Sequence, residues 1–306
     1  YLIQKKKIVI TGGTGSFGKA FVNKLVSEYP NFERIVVFSR DELKQWQLKE
    51  EFPESKYPQI RFLLGDIRDK ESVERSIKSV DIVINLAALT NVDFCEKNSD
   101  LAREINTNGV RNICDTFQGK IVQLSTDYVF DGKNGPYVEE DEVFPLSVYG
   151  KTKLEAENIV LSHNSDNLII RGNVLYDNCL SSRASFLNWV VQSLREKTPI
   201  NVVDDQINNP TWAQSMAKVI GLCVEKEISG TYHWGDAEFV SRYKFAKMIA
   251  NHYNLETELI NPKSTEELGQ VAPRPLKSGL SSDRIVEMLD IKQPSINECL
   301  NQIIIE

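Results

Sequence analysis

The chain has 306 residues, 36 Lys+Arg against 43 Asp+Glu for a net charge of −7, and 41% hydrophobic residues. That length suggests about two domains and a core large enough to need no disulfide or metal staples, while 16 Gly and 11 Pro exclude collagen-like or low-complexity character. The acidic balance argues against nucleic acid or an anionic membrane as partner, since both recruit clustered positive charge, and no apolar run nears the roughly 20 residues of a membrane span.

The first predicted element is a short buried strand at residues 7–11, KIVIT, followed by a glycine-rich turn and a helix over 19–27. A second strand at 35–39 leads to a charged helix at 41–51, with Leu43, Trp46 and Leu48 interleaved. Strand 60–64, helix 70–79, strand 81–86, helix 101–117 and strand 121–125 continue the alternation. The loop 131–145 is rich in Gly, Pro and acid, and its VEEDE run reads as a solvated face. Helix 148–161 and strand 168–171 close the regular part. Beyond Arg171 the rhythm breaks: 185–196 and 212–225 look helical, 200–203 and 230–234 strand-like, and the tail from 236 mainly helical.

Short apolar strands alternating with helices predict an α/β fold, a Rossmann-type doubly wound parallel sheet covered on both faces. The expected division is a nucleotide-binding domain over 5–172 and 210–235, and a smaller, mainly helical substrate-binding lobe over 173–209 and 236–306.

TGGTGSFG follows the first strand and opens the first helix. Glycines permit a tight turn and close approach of backbone to a pyrophosphate, and a helix N-terminus adds free N–H groups and a positive dipole end. In that strand–turn–helix setting Gly12, Gly15, Ser16, Phe17 and Gly18 are candidate cofactor-binding residues. At the end of the second strand stand Ser39, Arg40 and Asp41, with Lys44 one turn on. A guanidinium and an ammonium suit a 2′-phosphate and favour NADP(H), while Asp41 leaves NAD(H) open. Asp66 and Ile67 end the third strand, where a carboxylate is placed to face an adenine amine. Ala87 and Ala88 end the fourth, small enough for a cofactor to lie across the sheet edge.

Tyr149 and Lys153 form a YxxxK spacing on one helical face. A phenol with pKa near 10 transfers protons poorly at neutrality, and an ammonium at i+4, with an oxidised nicotinamide close by, is expected to lower it. Ser125 and Thr126 supply a hydroxyl at the end of the fifth strand. Five cysteines, at 95, 114, 179, 223 and 299, form no CxxC, and the three histidines show no metal spacing. Reduced thiols, no metal site, no visible secretory signal and a cytoplasmic location are expected.

TGxxGxxG, the strand-end hydroxyl and YxxxK together resemble the extended short-chain dehydrogenase/reductases. Within them, NLAALTNVDFCE (85–96), INTNG (105–109), STDYVFDG (125–132), PLSVYGKTKLEAE (145–157), NNPTWA (208–213), GTYHW (230–234) and APRP (272–275) look like the dTDP-4-dehydrorhamnose reductases. The resemblance implies NADPH-dependent reduction of the C4 carbonyl of a nucleotide-linked 4-keto-6-deoxyhexose. It casts Tyr149 as proton donor, Lys153 as its tuner and ribose ligand, and Thr126 as partner of the sugar carbonyl. It adds Asn106 to the cofactor site, and Asp127, Tyr128, Asn173 and Arg274 to the substrate site. TGGTGSFGKAFV, SRDELKQ and GDIRD look more like the UDP-N-acetylglucosamine 4,6-dehydratases, in which such a Ser-Arg segment binds NADP. Asp127 and Tyr128 stand where that branch carries an Asp-Glu or Asp-Lys pair, which favours reductase over dehydratase or epimerase. Val174 departs from the aromatic common in rhamnose-forming reductases, leaving sugar and base open. GTYHWGDAEFVSRYKFAKMIA also resembles the regulatory beta subunit of methionine adenosyltransferase, a non-catalytic alternative. A homodimer also stays open.

Overall fold

The computed structural model describes residues 5–28, 32–178 and 185–305. The apolar pentapeptides pair side by side as one parallel sheet. β1 (Lys7–Thr11) is flanked by β2 (Arg34–Ser39) and β4 (Ile82–Asn85), with Ile8 opposite both Ile35 and Ile82. Between them in sequence come α1 (Ser16–Glu28), α2 (Glu42–Glu51), β3 (Ile60–Leu64) and α3 (Lys70–Ile77). α4 (Val92–Lys97), α5 (Ser99–Arg103), a π turn at Glu104–Asn108 and α6 (Gly109–Thr116) lead to β5 (Lys120–Thr126). α7 (Val148–His163) and β6 (Leu168–Gly172) follow.

The remainder comprises β7 (Leu175–Tyr176), α8 (Phe186–Arg195), β8 (Ile200–Val203), β9 (Ile207–Asn208), β10 (Thr211–Trp212), α9 (Ala213–Glu225) and β11 (Gly230–Trp234). β12 (Val240–Ser241), α10 (Arg242–His252), β13 (Ile260–Lys263), α11 (Thr265–Leu268), α12 (Asp283–Leu289) and α13 (Ile296–Leu300) complete it.

The seven-stranded sheet runs β11-β6-β5-β4-β1-β2-β3. Strand order therefore reverses between β1 and β4, and a crevice opens at the C-terminal ends of such neighbours. Ile8, Ile10, Ile35 and Ile84 on one face and Val9, Val36, Val83 and Ile121 on the other are buried, as two covered faces require. A separate core gathers Tyr176, Leu187, Val190, Phe245, Ile249, Ile260, Ile296 and Leu300. Phe245 is fully enclosed there, a burial contributing about 2–3 kcal/mol. The tail is shared between the two cores, because Ile285 and Leu289 of α12 pack with the sheet residues.

Besides the two-residue strands β7, β9, β10 and β12, three longer features differ from the sequence expectation. The helix expected over 101–117 is broken by the π turn, and α4 precedes it, capped by the Asn91 side chain accepting the Phe94 N–H. The tail contains a strand, β13, which pairs in parallel with β8 despite Pro262. A proline costs a ladder no hydrogen bond where its nitrogen faces away from the partner, as at a sheet edge. Among the described residues no helix is long and apolar enough to cross a membrane.

Candidate active site

A cleft of about 600 Å³ runs along the C-terminal ends of the strands. Its floor at the β1–α1 turn is backbone. Gly12 has φ +66°, and a Cβ there would stand 2.8 Å from the Ala87 Cα; one on Gly18 would stand 2.5 Å from the Gly12 carbonyl. Side chains at these points would separate the ends of β1 and β4 and fill the cradle. Gly15, Ser16 and Phe17 line the cleft with them, as do Ala87 and Ala88 opposite. The Thr11 hydroxyl donates to the Asn85 side chain and accepts the Ala87 N–H at 3.3 Å, pinning the two strand ends together.

At the far end lie Ser39, Arg40, Lys44, Asp66 and Ile67. Both nearby carboxylates are engaged. Asp41 caps α2 by accepting the Lys44 N–H at 3.0 Å, which holds its pKa below the usual range. Asp66 takes the Arg68 Nε at 3.0 Å and Nη2 at 2.6 Å, and these bonds chiefly lower its pKa. Its carboxylate, expected to face adenine, is thus already committed to Arg68. Arg40 and Lys44 keep side-chain exposures of 60% and 50%, with looser contacts of 3.9 Å to Asp66 and 3.4 Å to Asp41. This end therefore presents cations. Asn106 is not among the lining residues. It is buried, accepts the Leu89 N–H at 2.7 Å, and donates to the Leu89 carbonyl and Thr152 hydroxyl at 3.1 Å each, bracing the loop after β4 from behind.

The middle of the cleft brings together the end of β5 and the start of α7. Ser147 caps α7 by accepting the Gly150 N–H at 3.2 Å, and Glu96 accepts the Val148 N–H at 2.9 Å. Tyr149 and Lys153 then project one turn apart. The Tyr149 ring meets Tyr128 edge-on, centroids 5.6 Å apart. The residue is partly open to the cleft, but its phenol lies deep among protein atoms. Burial pushes its pKa up, the Thr126 hydroxyl opposes this, and Asp127, Tyr128 and Cys95 reinforce it.

Lys153 is not among the groups that chiefly shift the phenol here. Lys153 is buried, donates to the Leu124 carbonyl at 2.6 Å, and is itself pushed down to about 8 by burial, with Glu157 pulling the other way. Thr126 bridges to Asp127 at 3.1 Å and accepts the Tyr128 N–H at 3.2 Å. Asp127 lines the cleft and also accepts from Ser278, and burial raises its pKa. Among the described residues, two buried polar atoms of the lining lack partners, the Ser125 hydroxyl and the Asn173 Oδ1. Such groups are costly to leave unbonded, so a polar ligand in the cleft matches them.

Arg274 does not line the cleft. Its Nη2 sits 2.9 Å from Asp93 Oδ1, Nη1 donates to the Ala272 carbonyl at 2.9 Å, and the Ala272 N–H returns to Asp93 at 2.9 Å. It ties α4 to the 272–275 loop. Arg242, which the sequence reading missed, does line the cleft. Among the described residues its guanidinium forms no salt bridge or hydrogen bond; it lies 5.6 Å from the Phe186 ring centroid. Burial lowers its pKa, with Tyr128 and Asp127 opposing. Nothing local marks it among the other arginines; the pairing of β12 with β9, Ser241 opposite Ile207, delivers it.

Among the described residues no group of three His, Cys, Asp or Glu is placed to hold a metal. Cys95, Cys114, Cys223 and Cys299 are buried free thiols; Cys179 lies outside the described residues.

A family model described as the RmlD substrate binding domain matches residues 6–306. The spore coat polysaccharide biosynthesis protein SpsK of Bacillus subtilis is 34% identical over 243 residues, covering 78% of this chain and 84% of that protein. The crystal structure of a dTDP-4-dehydrorhamnose reductase, an RfbD ortholog from Clostridium acetobutylicum, aligns with TM-score 0.81 at 30% identity, over 97% of this chain and 98% of that one. A dTDP-4-dehydrorhamnose reductase from Bacillus anthracis, solved in complex with NADP, aligns with TM-score 0.80 at 29% identity, over 98% of each chain.

Proposed function

The chain belongs to the RmlD substrate binding domain family, and from that premise we propose that it reduces the C4 keto group of a nucleotide-linked 4-keto-6-deoxyhexose with NADPH. The observation that carries this reading is a single cleft joining the glycine turn to the facing side chains of Thr126, Tyr149 and Lys153. The glycine cradle and the unpartnered Ser125 and Asn173 atoms fit a nicotinamide dinucleotide with a sugar beyond it.

The residues divide the work along the cleft. The N–H groups of Ser16, Phe17 and Gly18 at the positive end of α1 hold the dinucleotide diphosphate, while the Gly12 and Gly15 N–H groups, donating to the Phe38 and Gly12 carbonyls at 2.9 Å each, shape the turn. Ser39, Arg40 and Lys44 take the 2′-phosphate, which is why NADPH is preferred to NADH. Ile67, backed by the Asp66–Arg68 pair, borders the adenine, and Ala87 and Ala88 let the cofactor lie close to the sheet. When bound, the nicotinamide supplies the hydride.

Lys153 holds the ribose hydroxyls and keeps positive charge near the phenol. Tyr149 donates the proton to the carbonyl oxygen as the hydride arrives. The phenol starts protonated, as an acid must; burial works against the transfer, and the Lys153 charge offsets that as the oxygen gives up its proton. Thr126 fixes the carbonyl oxygen, and Asp127, Tyr128 and Asn173 line the sugar site. Arg242 takes the substrate's phosphates in place of Arg274, which positions the wall through Asp93.

The test is to mix purified protein with NADPH and 4-keto-6-deoxy sugars carried on dTDP or UDP, and to follow NADPH absorbance. Consumption with formation of the reduced sugar is expected. No consumption with either series refutes the reading. Conversion of the sugar without net NADPH loss points instead to dehydratase or epimerase chemistry.

A further inference from the structure

The face of α7 that carries Tyr149 and Lys153 continues one turn further to Glu157, at the same four-residue step. Glu157 is 1% exposed, and Arg171 of β6 grips its carboxylate with Nε at 3.0 Å and Nη2 at 2.7 Å. Arg171 is itself buried, stands over the Phe130 ring at 5.2 Å, and reaches His233 Nε2 of β11 at 3.3 Å. Burial, helped by the Arg171 charge, pushes His233 down to about 3. Its neutral ring accepts from Arg171 and donates Nδ1–H to the Tyr137 carbonyl at 3.2 Å. A buried ion pair rarely stabilises a fold better than apolar residues of the same volume. This one lies behind the cleft wall, one turn from Lys153 and next in the chain to Gly172, both of which line it.

The other charged and titratable groups around α7 are already engaged. Glu96 of α4 accepts the Val148 N–H, and Glu155 pairs with Arg103 of α5. Asp127 accepts from Ser278 and Thr126, and Tyr128 and Cys95 border the phenol rather than the ammonium. Glu139 receives the His233 N–H, and Arg284 pairs with Glu140. Glu157 differs from these in lying one turn along the same buried face of α7 as Lys153, and its carboxylate favours the charged ammonium even while Arg171 holds it.

We propose that Glu157 is a positioning residue that keeps Lys153 in its charged form, and that Arg171, steadied by His233, holds the Glu157 carboxylate in place to do so. The inference rests on the reading above for the use to which Lys153 is put, but not for its ionisation.

The test is an NMR titration of the Lys153 ammonium, assigned with Lys153→Met, in the parent protein, in Glu157→Gln and in Glu157→Gln/Arg171→Met. The amide keeps a hydrogen bond to Arg171, and the double variant covers the case in which an uncompensated guanidinium unfolds the single one. Loss of the opposite charge one helical turn away is expected to lower the Lys153 midpoint by about 1 unit in Glu157→Gln, and by less in the double variant, where a positive charge leaves with it. The alkaline limb of NADPH consumption falls with it. A merely structural pair would lower thermal stability and leave the midpoint of the folded variants where it was, and that result overturns the proposal. If the parent protein turns over no 4-keto sugar, the functional reading fails while the titration still decides the role of Glu157.

Discussion

Tyr149→Phe removes one oxygen from the centre of the cleft and leaves almost everything else. The ring keeps its edge-on contact with Tyr128 at 5.6 Å, and the Ser147 cap of α7 does not involve it. The Thr126 hydroxyl still has Asp127 at 3.1 Å and the Tyr128 N–H at 3.2 Å, so no buried group loses its last partner. The change in stability is therefore expected to stay within about 1 kcal/mol. The glycine cradle lies on another element, so the NADPH dissociation constant is expected to move by no more than about twofold.

The chemical step is different. A positioned acid contributes about 10²–10⁴-fold to a rate, which is about 3–5 kcal/mol of barrier. kcat for NADPH consumption with the keto sugar is expected to fall by that factor. Fluorescence titration of NADPH and a thermal melt complete the assay. A variant that keeps kcat within about threefold removes Tyr149 as the donor, since even a weak general acid contributes more. A variant that loses NADPH binding in parallel with kcat would show that the phenol holds cofactor instead.

Arg40→Ala is expected to weaken NADPH by about tenfold, a solvent-discounted charge contact, and NADH hardly at all; parallel losses in the two titrations would contradict the 2′-phosphate contact. Arg242→Ala should raise KM for the nucleotide sugar by about 10–100-fold with little change in kcat, and Arg242→Lys should recover part of it. A fall in kcat at constant KM would place Arg242 elsewhere in the mechanism.

Asp236 links stability to pH. It is wholly buried, accepts the Tyr176 hydroxyl at 2.7 Å, and burial pushes it up to about 7 from an ordinary 3.8. Between those values the folded chain holds a proton that the unfolded chain has lost, so the native state loses stability as pH rises through the window. Thermal melts should show Asp236→Asn gaining on the parent protein from about pH 4 to 7; a constant difference would mean that Asp236 does not hold that proton.

The parts legible in advance were those in which the signal and the structure share a few consecutive residues. KIVIT, RIVVFS and IRFLL needed only an apolar run of strand length, and the cradle needed only glycines between a strand and a helix. Tyr149 and Lys153 needed only the helical step. Where the signal was short or contradictory, the reading failed. VDFCEK buries one residue, Cys95, and owes its helix to the Asn91 cap, so its apolar period was too brief to register. β13 was masked by Pro262, because propensity along the chain cannot show that β8 lies alongside.

The two arginines mark where linear order stops informing. APRP pointed Arg274 at the substrate, yet Asp93, far away in the chain, claims it. Arg242 had no motif and reaches the cleft because β9 and β12 pair. The same holds for proton affinity. The order of residues established that a phenol, an ammonium and a strand-end hydroxyl would meet, since helix and strand geometry are local rules. Folding alone decided that burial pushes the phenol up and Lys153 down to about 8, and that Arg171 clasps Glu157 one turn further along α7. Desolvation and charge pairing are sums over atoms brought close from distant positions, and no stretch of sequence contains that sum.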